Sequence, residues 1–326
     1  MLTTIAGKIN NKNKSLKKFL KKSNVYYFLR DFVFLNEQMK EKRIEKKKGL
    51  DGMIKYCKEW YKKSTGLELN LENPQTLTDK MQWIKFNDFS PIKTEMTDKL
   101  KVREHIKRIL GEEFLVPLLS IDGKDHFENA FDIDFNKLPN SFVLSCNHGS
   151  SMTIVISDKK KLSNSKIRSI KKKLNRWLKI NLCYTNAFDF IYRDIKPCIL
   201  IFKMLMDSNG ELNDYKFTCF NGKVNYFWVD SDRFSEHKRN VYDTEYNDAP
   251  FTINHYKKGN PRKANNLQEM KEIAEKLSKD FKMVRVDLYD VDGKIYFGEM
   301  TFNSEAGKAL PEPISYNAIL GNCLEL

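Results

Sequence analysis

Apolar and polar residues alternate along Val284-Arg285-Val286-Asp287-Leu288-Tyr289, and again along Lys294-Ile295-Tyr296-Phe297-Gly298-Glu299-Met300-Thr301-Phe302-Asn303. A two-residue period of this kind marks a strand with one buried face. Asp290 to Gly293 between the two runs is turn chemistry, so they are predicted to form a hairpin. A second hairpin is predicted at Asn221-Gly222, between Phe217 to Phe220 and Val224 to Val229. Helical spacing governs Ile167, Ile170, Leu174, Trp177 and Leu178, and Leu267 to Ser278 reads as a helix feeding the strand at Met283 to Tyr289. Phe142 to Ser145 reads as an apolar strand that enters a small-residue loop and continues into a strand over Thr153 to Ile156. The body is therefore expected to be α+β, without an internal repeat.

At 326 residues the chain exceeds what one core usually organises, so two or three subdomains are expected. With 41% hydrophobic and 31% charged residues it falls among globular rather than disordered sequences. Six scattered cysteines form no CxxC pair and no zinc spacing with the five histidines, which points to a reducing, cytoplasmic setting. No apolar stretch has the length of a membrane span, and the N-terminus carries no signal-peptide pattern.

Charge refines this picture. Sixteen Lys/Arg against six Asp/Glu in Met1 to Trp60 place +10 of the +14 net charge there. Lys12 to Lys22 is a basic run, Val25 to Leu35 is apolar and aromatic, and Glu41 to Lys48 is charged again. Two readings stand side by side. One is a basic amphipathic arm on an anionic membrane surface, each basic side chain contributing about 1 kcal/mol. The other is a helical arm packed on the body through Tyr26, Phe28, Phe32 and Phe34. Nucleic acid is not favoured as a partner, because no zinc-finger, KH or RNP signature accompanies the charge. The lysine-rich face of Ser163 to Lys179 reads as solvated.

Four constellations are candidates for chemistry. Pairing the two terminal strands brings Asp287 and Glu299 to the same end of a sheet, where carboxylates repel unless a cation lies between them. Oxygen donors of this kind suit Mg²⁺, which binds through one or two carboxylates together with nucleotide phosphates; the plain alternative is a polar-faced hairpin. The second constellation is Ser145-Cys146-Asn147-His148-Gly149-Ser150-Ser151, a turn able to offer N–H groups and hydroxyls to phosphate, or an ordinary hairpin turn. His148 there either polarises a substrate or caps the turn. Lys216, in Asp214-Tyr215-Lys216-Phe217, opens a strand where it meets phosphate or water. Asp230-Ser231-Asp232 is a DxD at a strand end, the device with which glycosyltransferases hold a metal and a sugar nucleotide, although a lone DxD is common by chance.

The series Asn73-Pro74-Gln75-Thr76-Leu77-Thr78-Asp79-Lys80-Met81-Gln82-Trp83, Thr97-Asp98-Lys99-Leu100-Lys101-Val102-Arg103, Cys146-Asn147-His148-Gly149-Ser150, Gly210 to Phe217, Asp230 to Phe234 with His237-Lys238-Arg239-Asn240, Arg285-Val286-Asp287 and Tyr296 to Phe302 resembles the TupA-like ATP-grasp family. The likeness covers about Asn70 to Gly307. It implies an ATP-grasp-like fold of two α+β subdomains with largely antiparallel sheets that hold ATP between them. The implied division is a basic helical N-terminal arm at 1–69, a pre-grasp segment at 70–135, a lid subdomain at 136–200 and a metal-binding subdomain at 201–326.

The same resemblance implies an ATP- and Mg²⁺-dependent carboxylate-amine ligase working through an acylphosphate. Its substrates would be a bacterial surface polysaccharide or lipid-linked sugar precursor and an amino acid or other amine, joined at the cytoplasmic face of the membrane. Asp287 and Glu299 would hold the metal, with Thr301 or Asn303 as a weaker ligand. Arg285 would face the transferred phosphoryl group, His148 is a second catalytic candidate, and Arg103, Lys216, Ser145, Gly149, Ser150 and Ser151 would contact nucleotide. Ser145 stands where relatives carry a lysine, and a serine does not replace a cation against triphosphate. Either another lysine, Lys99 or Lys203, takes its place, or the chain is an impaired relative kept for binding. A DxD glycosyltransferase is the other alternative.

Overall fold

The structure, a computed structural model, describes residues 24–231, 237–254 and 256–326, with side chains described from Leu29 onward. Seven helices are described: α1 (Asn24–Thr65), α2 (Leu77–Asn87), α3 (Pro91–Thr97), α4 (Val102–Ile109), α5 (Asn164–Trp177), α6 (Leu267–Ser278) and α7 (Tyr316–Asn322). The strands are β1 (His126–Phe127), β2 (Phe142–Cys146), β3 (Thr153–Ile156), β4 (Ile199–Lys203), β5 (Asn213–Phe220), β6 (Lys223–Ser231), β7 (Lys238–Tyr242), β8 (Thr252–Ile253), β9 (Met283–Val291), β10 (Lys294–Thr301) and β11 (Pro311–Glu312). They form an antiparallel sheet ordered β1-β4-β2-β3, a larger one ordered β10-β9-β5-β6-β7, and a small β11-β8 pair.

Local chemistry explains these elements. Asn221 and Gly222 both adopt positive φ, as do Asp292 and Gly293, so both predicted hairpins close through turns whose twist suits antiparallel strands. Helix α2 begins at a capping box: Thr76 accepts from the Asp79 N–H, while the Asp79 carboxylate receives the Thr76 N–H. Ser163 caps α5 by accepting from the Lys166 N–H.

Each sheet has its own core. Around the smaller one, Phe142, Leu144, Ile199 and Ile201 pack with Ile170, Leu174 and Trp177 of α5. Against the larger one, Met270, Ile273, Ala274 and Leu277 of α6 cover Phe217, Phe227, Val284, Val286 and Leu288. Helix α6 shields one face of the five-stranded sheet, and the polar residues of its strands are left to the other.

Helix α1, broken at Gly49 (φ +58°), joins the body through polar side chains that share one stripe. Asp31 accepts from Arg176 Nε (2.7 Å) and Trp177 Nε1 (3.1 Å). Gln38 bonds Lys179 O and the Asn181 N–H. Glu45 accepts from the Tyr184 hydroxyl. Residues 31, 38 and 45 are seven apart, a spacing that keeps them on one face of a helix. Phe34 packs on the smaller-sheet core, whereas Phe32 is exposed. The described part of the arm lies on the body through this polar stripe and, further along, through Met53, Cys57 and Tyr61, which pack with Phe86, Cys183, Phe188 and Phe190. Tyr26, Phe28 and the basic run Lys12 to Lys22 lie outside the described side chains. Among the described residues no helix is long and apolar enough to cross a membrane, and all six cysteines are free thiols.

Glu41 also belongs to this stripe. It is 1% exposed and accepts the N–H groups of Ala187 and Phe188. Burial pushes its carboxyl up from 4.5 to about 7. Because the folded state holds the proton more tightly than the unfolded chain, this group's contribution is fully present below about pH 4.5 and is lost as pH rises to 7. Urea unfolding is therefore expected to show a stability decline between pH 5 and pH 8 that is roughly 2–3 kcal/mol smaller in Glu41→Gln. An identical decline in the two proteins would contradict this assignment.

Candidate active site

The face of the five-stranded sheet turned away from α6 is built by strict alternation. Tyr215, Phe217 and Cys219 point into the core, which leaves Asp214, Lys216 and Thr218 on the other side of β5. Register then sets their neighbours: Lys216 lies opposite Asp287 and Thr218 opposite Arg285 on β9, while Asp214 lies opposite Asp230 on β6 and Asp230 opposite Arg239 on β7.

Strand β10 joins this face only because its register slips. Leu288 pairs with Phe297, but Asp287 pairs with Glu299. The extra residue is Gly298. A regular ladder would have set Asp287 against position 298 and turned Glu299 toward the core, since one residue of slip exchanges the two faces of a strand. With the bulge, Glu299 stands beside Asp287, and Thr301 beside Arg285. A Cβ at position 298 would approach Asp287 O to 2.9 Å and the Tyr289 ring to 3.2 Å, so only glycine fits there without movement.

The charged groups converge closely. Arg285 grips Asp287 with two parallel bonds, Nε to Oδ1 at 2.6 Å and Nη2 to Oδ2 at 2.7 Å. It also donates to Thr301 Oγ1 (3.0 Å), Glu299 Oε1 (3.2 Å) and Ser304 Oγ (2.6 Å). Lys216 Nζ lies 2.7 Å from Asp214 Oδ2 and bonds Asp287 Oδ2 as well. Lys99 Nζ, from the α3–α4 connection, reaches Glu299 Oε2 at 3.0 Å and Gly149 O at 3.1 Å. Three carboxylates, Asp214, Asp287 and Glu299, are thereby matched by three cations, Lys99, Lys216 and Arg285.

Burial pushes the Asp287 carboxyl up, and Arg285 and Lys216 pull against it. For Glu299, the same burial is outweighed by Lys99, Arg285 and Lys216, which hold it well below the usual carboxylate range. Burial alone would weaken the Arg285 charge, but Asp287, Glu299 and Asp214 keep the guanidinium firmly protonated.

The donor set fits a hard divalent cation. Asp287 and Glu299 offer oxygens from adjacent strands, beside the hydroxyls of Thr301 and Ser304. No group of three His, Cys, Asp or Glu side chains among the described residues is arranged as a ready cage.

The remaining predicted residues are placed differently. Asn303 is buried next to the cluster, donating to Asp189 Oδ1 at 2.7 Å, and its own Oδ1 has no partner among the described residues. Asp189 is pushed up to about 6 by burial. Ser145 is buried on β2, its hydroxyl bonded to Thr153 Oγ1 at 2.9 Å. Gly149 is buried in the turn after β2, while Ser150 and Ser151 are exposed there. His148 is not aimed at the cluster: its ring nitrogens meet Asn147 Oδ1, Trp177 O and Ile180 O, the last two at the C-terminal end of α5. Burial lowers its pKa, against the pull of the Trp177 and Ile180 carbonyls. Arg103, on α4, bonds Val116 O at 2.9 Å, tying α4 to the loop before β1.

Asp230, the described half of the DxD, is 2% exposed and gripped by Arg239 through two bonds of 2.7 and 3.0 Å; His237 Nε2 lies 3.0 Å away. Burial is outweighed by these partners, which hold its carboxyl well below the usual range. Asp232 lies outside the described residues. The Trp228 ring stacks near both Arg239 (4.9 Å) and Arg285 (5.5 Å), linking this pair to the carboxylate cluster. Sequence reasoning left Asp214 and Ser304 without roles. Asp214 was findable, since it lies two residues from Lys216 on one strand and must share its face.

The sequence profile of the family described as TupA-like ATPgrasp matches residues 79–325. No curated protein matches the chain. Solved structures with similarity include a D-alanine–D-alanine ligase from Bacillus anthracis, with 14% identity over 70% of this chain and 62% of that one and a TM-score of 0.38. Others are the ATP-grasp ligase PsnB complexed with minimal precursor (11% identity, 73% and 58% covered, TM-score 0.37) and a D-alanine–D-alanine ligase from Helicobacter pylori (14% identity, 78% and 70% covered, TM-score 0.39). The chain spans about three fifths of the length of the first two.

The bulge yields a direct expectation. Gly298→Ala should destabilise the protein by about 1–3 kcal/mol, the usual range for forcing a methyl group into a packed site, as read from the urea midpoint. Unchanged stability would mean that the close approach of position 298 to Asp287 does not constrain the hairpin.

Proposed function

Since the chain belongs to the TupA-like ATP-grasp family, we propose that it is an ATP- and Mg²⁺-dependent carboxylate-amine ligase. The observation that carries this reading is the Asp287–Glu299 pair, set side by side by the Gly298 bulge and ringed by Lys99, Lys216 and Arg285. Two carboxylates suit a divalent ion, and three cations suit a polyphosphate. In phosphoryl transfer the protein's work is positioning and offsetting charge, and this combination does both.

In the proposed reaction a substrate carboxylate oxygen attacks the γ-phosphorus of ATP, the bond to the β–γ bridging oxygen breaks, and ADP leaves. An amine then attacks the acylphosphate carbon, phosphate departs, and the nitrogen loses a proton. Asp287 and Glu299 would hold Mg²⁺, which when bound offsets charge on the phosphates. Arg285 sits centrally on the face, where its guanidinium would meet the transferred phosphoryl group, and Lys216 would orient the phosphates from β5. The turn at Gly149 to Ser151, joined to the cluster through Lys99, would exclude water from an acylphosphate that water would destroy. The acid would belong to a bacterial surface polysaccharide of capsule, teichuronic-acid or O-antigen type, or to its lipid-linked precursor. The amine would be an amino acid or a related compound. The protein would act at the cytoplasmic face of the membrane, with the basic N-terminal residues as a peripheral contact.

Calorimetry tests the reading. The folded protein should bind ATP saturably in the presence of Mg²⁺, with at least about tenfold weaker binding in Asp287→Asn and in Glu299→Gln, equivalent to about 1.4 kcal/mol. Absence of saturable ATP binding by the folded wild type would remove the ligase reading.

A further inference from the structure

We infer that the lysine-rich outer face of α5 is a docking surface for an anionic lipid bilayer, with Phe131 and Phe32 as aromatic contacts on its two flanks. The inference goes beyond the ligase reading and does not rest on it.

Positive charge is concentrated in this part of the molecule. Lys159 to Phe188 holds ten Lys/Arg and no Asp/Glu, and residues 1–30 hold eight Lys/Arg and likewise no acid. Met1 to Trp60 already carries +10 of the total +14, so the chain outside Met1 to Trp60 and Lys159 to Phe188 is net acidic. The fold joins the two basic segments. Asp31, the first acidic residue of the chain, accepts from Arg30 Nη2 at 3.0 Å and from Arg176 Nε at 2.7 Å. Arg30 and Lys173 both lie over the Trp177 ring, at 5.8 and 4.8 Å. Burial pushes the Lys173 ammonium down to about 8, and the charge of Arg30 adds to this while Asp31 pulls the other way.

Helical geometry turns the cations outward. At about 100° per residue, Ile170, Leu174 and Trp177 share the side of α5 that packs on the smaller sheet. Arg168, Lys172 and, just past the helix end, Lys179 fall on the opposite side, and all three are exposed, as are Lys160 and Lys166. Lys159 is not part of this surface, because its ammonium is held by the carbonyls of Phe135, Asn136 and Leu138.

Exposed aromatic rings lie on both flanks of this face. Asn175 Oδ1 accepts the Ala130 N–H (2.7 Å) and Lys171 Nζ donates to Phe131 O (3.4 Å), so the loop bearing Phe131 runs along one side of α5. Helix α1 runs along the other through Asp31, and its next residue is Phe32. Phe131 is 48% exposed and Phe32 45%. A polyanion free in water requires only the cations. Cations together with rings on both flanks suit a bilayer interface, where aromatic side chains sit at the level of the headgroups.

Co-sedimentation of the full chain with vesicles tests the inference, using phosphatidylcholine alone and an equal mixture of phosphatidylcholine and phosphatidylglycerol. Wild type should bind the mixed vesicles and not the neutral ones. The triple variant Arg168→Gln, Lys172→Gln, Lys179→Gln should bind about 100-fold more weakly, at about fivefold, or 1 kcal/mol, per cation. Lys55→Gln, Lys63→Gln, Lys279→Gln removes the same charge from exposed lysines elsewhere and should weaken binding far less. Phe131→Ala should weaken vesicle binding several-fold. If the triple variant does not fold, Lys172→Gln, Lys179→Gln should show a loss of about 25-fold. Wild-type vesicle binding in the α5 variant would overturn the inference and leave membrane contact to the N-terminal residues. An equal loss in the control variant, or displacement of the vesicles by soluble polygalacturonate at equal charge concentration, would also overturn it. Failure of the wild type to bind ATP would remove the ligase reading and leave this inference standing.

Discussion

Asp287 is a carboxyl group 1% exposed on an inner strand, and satisfying it is the constraint around which the site is arranged. An unpaired charge at that depth would cost several kcal/mol. Arg285 meets it with two bonds from the same strand, and Lys216 meets it from the next. Each of those cations has further partners: Asp214 for Lys216, and Glu299, Thr301 and Ser304 for Arg285. Neutralising one carboxylate thus draws in residues from β5, β9, β10 and the segment after β10. Lys99 then extends the network to the turn that follows β2. Ion pairs, completed by the hydrogen bond from Lys99 to Gly149 O, connect the larger sheet to the turn that follows β2.

That network explains why a self-satisfied cluster is compatible with nucleotide chemistry. Its cations and carboxylates balance, and its mixed signs would match the proposed ligand, a metal cation on a polyphosphate. In that proposal carboxylates would pass to metal and cations to phosphate, which would conserve the balance. A site of carboxylates alone would bind bare metal, and a site of cations alone would bind any phosphate. The Gly298 bulge is what makes the mixed arrangement possible, because it turns Glu299 from the core side to the side of Asp287.

Much of the larger sheet was legible in the sequence. The Asn221-Gly222 turn and the alternation through Val284 to Tyr289 placed two hairpins correctly, and the 3.6-residue spacing of Ile167 to Leu178 placed α5. The meeting of Asp287 with Glu299 was also expected, but plain alternation does not produce it: the two-residue period fails at Gly298, and a glycine within a strand was the signal available for that break. The seam of α1 was not legible, because Asp31, Gln38, Glu41 and Glu45 have the composition of a solvated face and gain their meaning from backbone groups, a guanidinium, an indole and a phenol across the interface. His148 had two readings from sequence, and its contacts with the carbonyls of Trp177 and Ile180, distant in the chain, were encoded by no local pattern. Lys99 was visible as a lysine in a shared motif, but its contact with Glu299 spans 200 positions and no local pattern encodes it.

The account stands or falls on partner exchange at Glu299. A crystal structure with Mg²⁺ and a non-hydrolysable ATP analogue measures it most directly. The account predicts the oxygens of Asp287 and Glu299 on the ion, with Lys99 Nζ withdrawn from Glu299 and within hydrogen-bond distance of a phosphate oxygen. A nucleotide bound elsewhere, with Lys99 and Arg285 still closed on the two carboxylates, would contradict it.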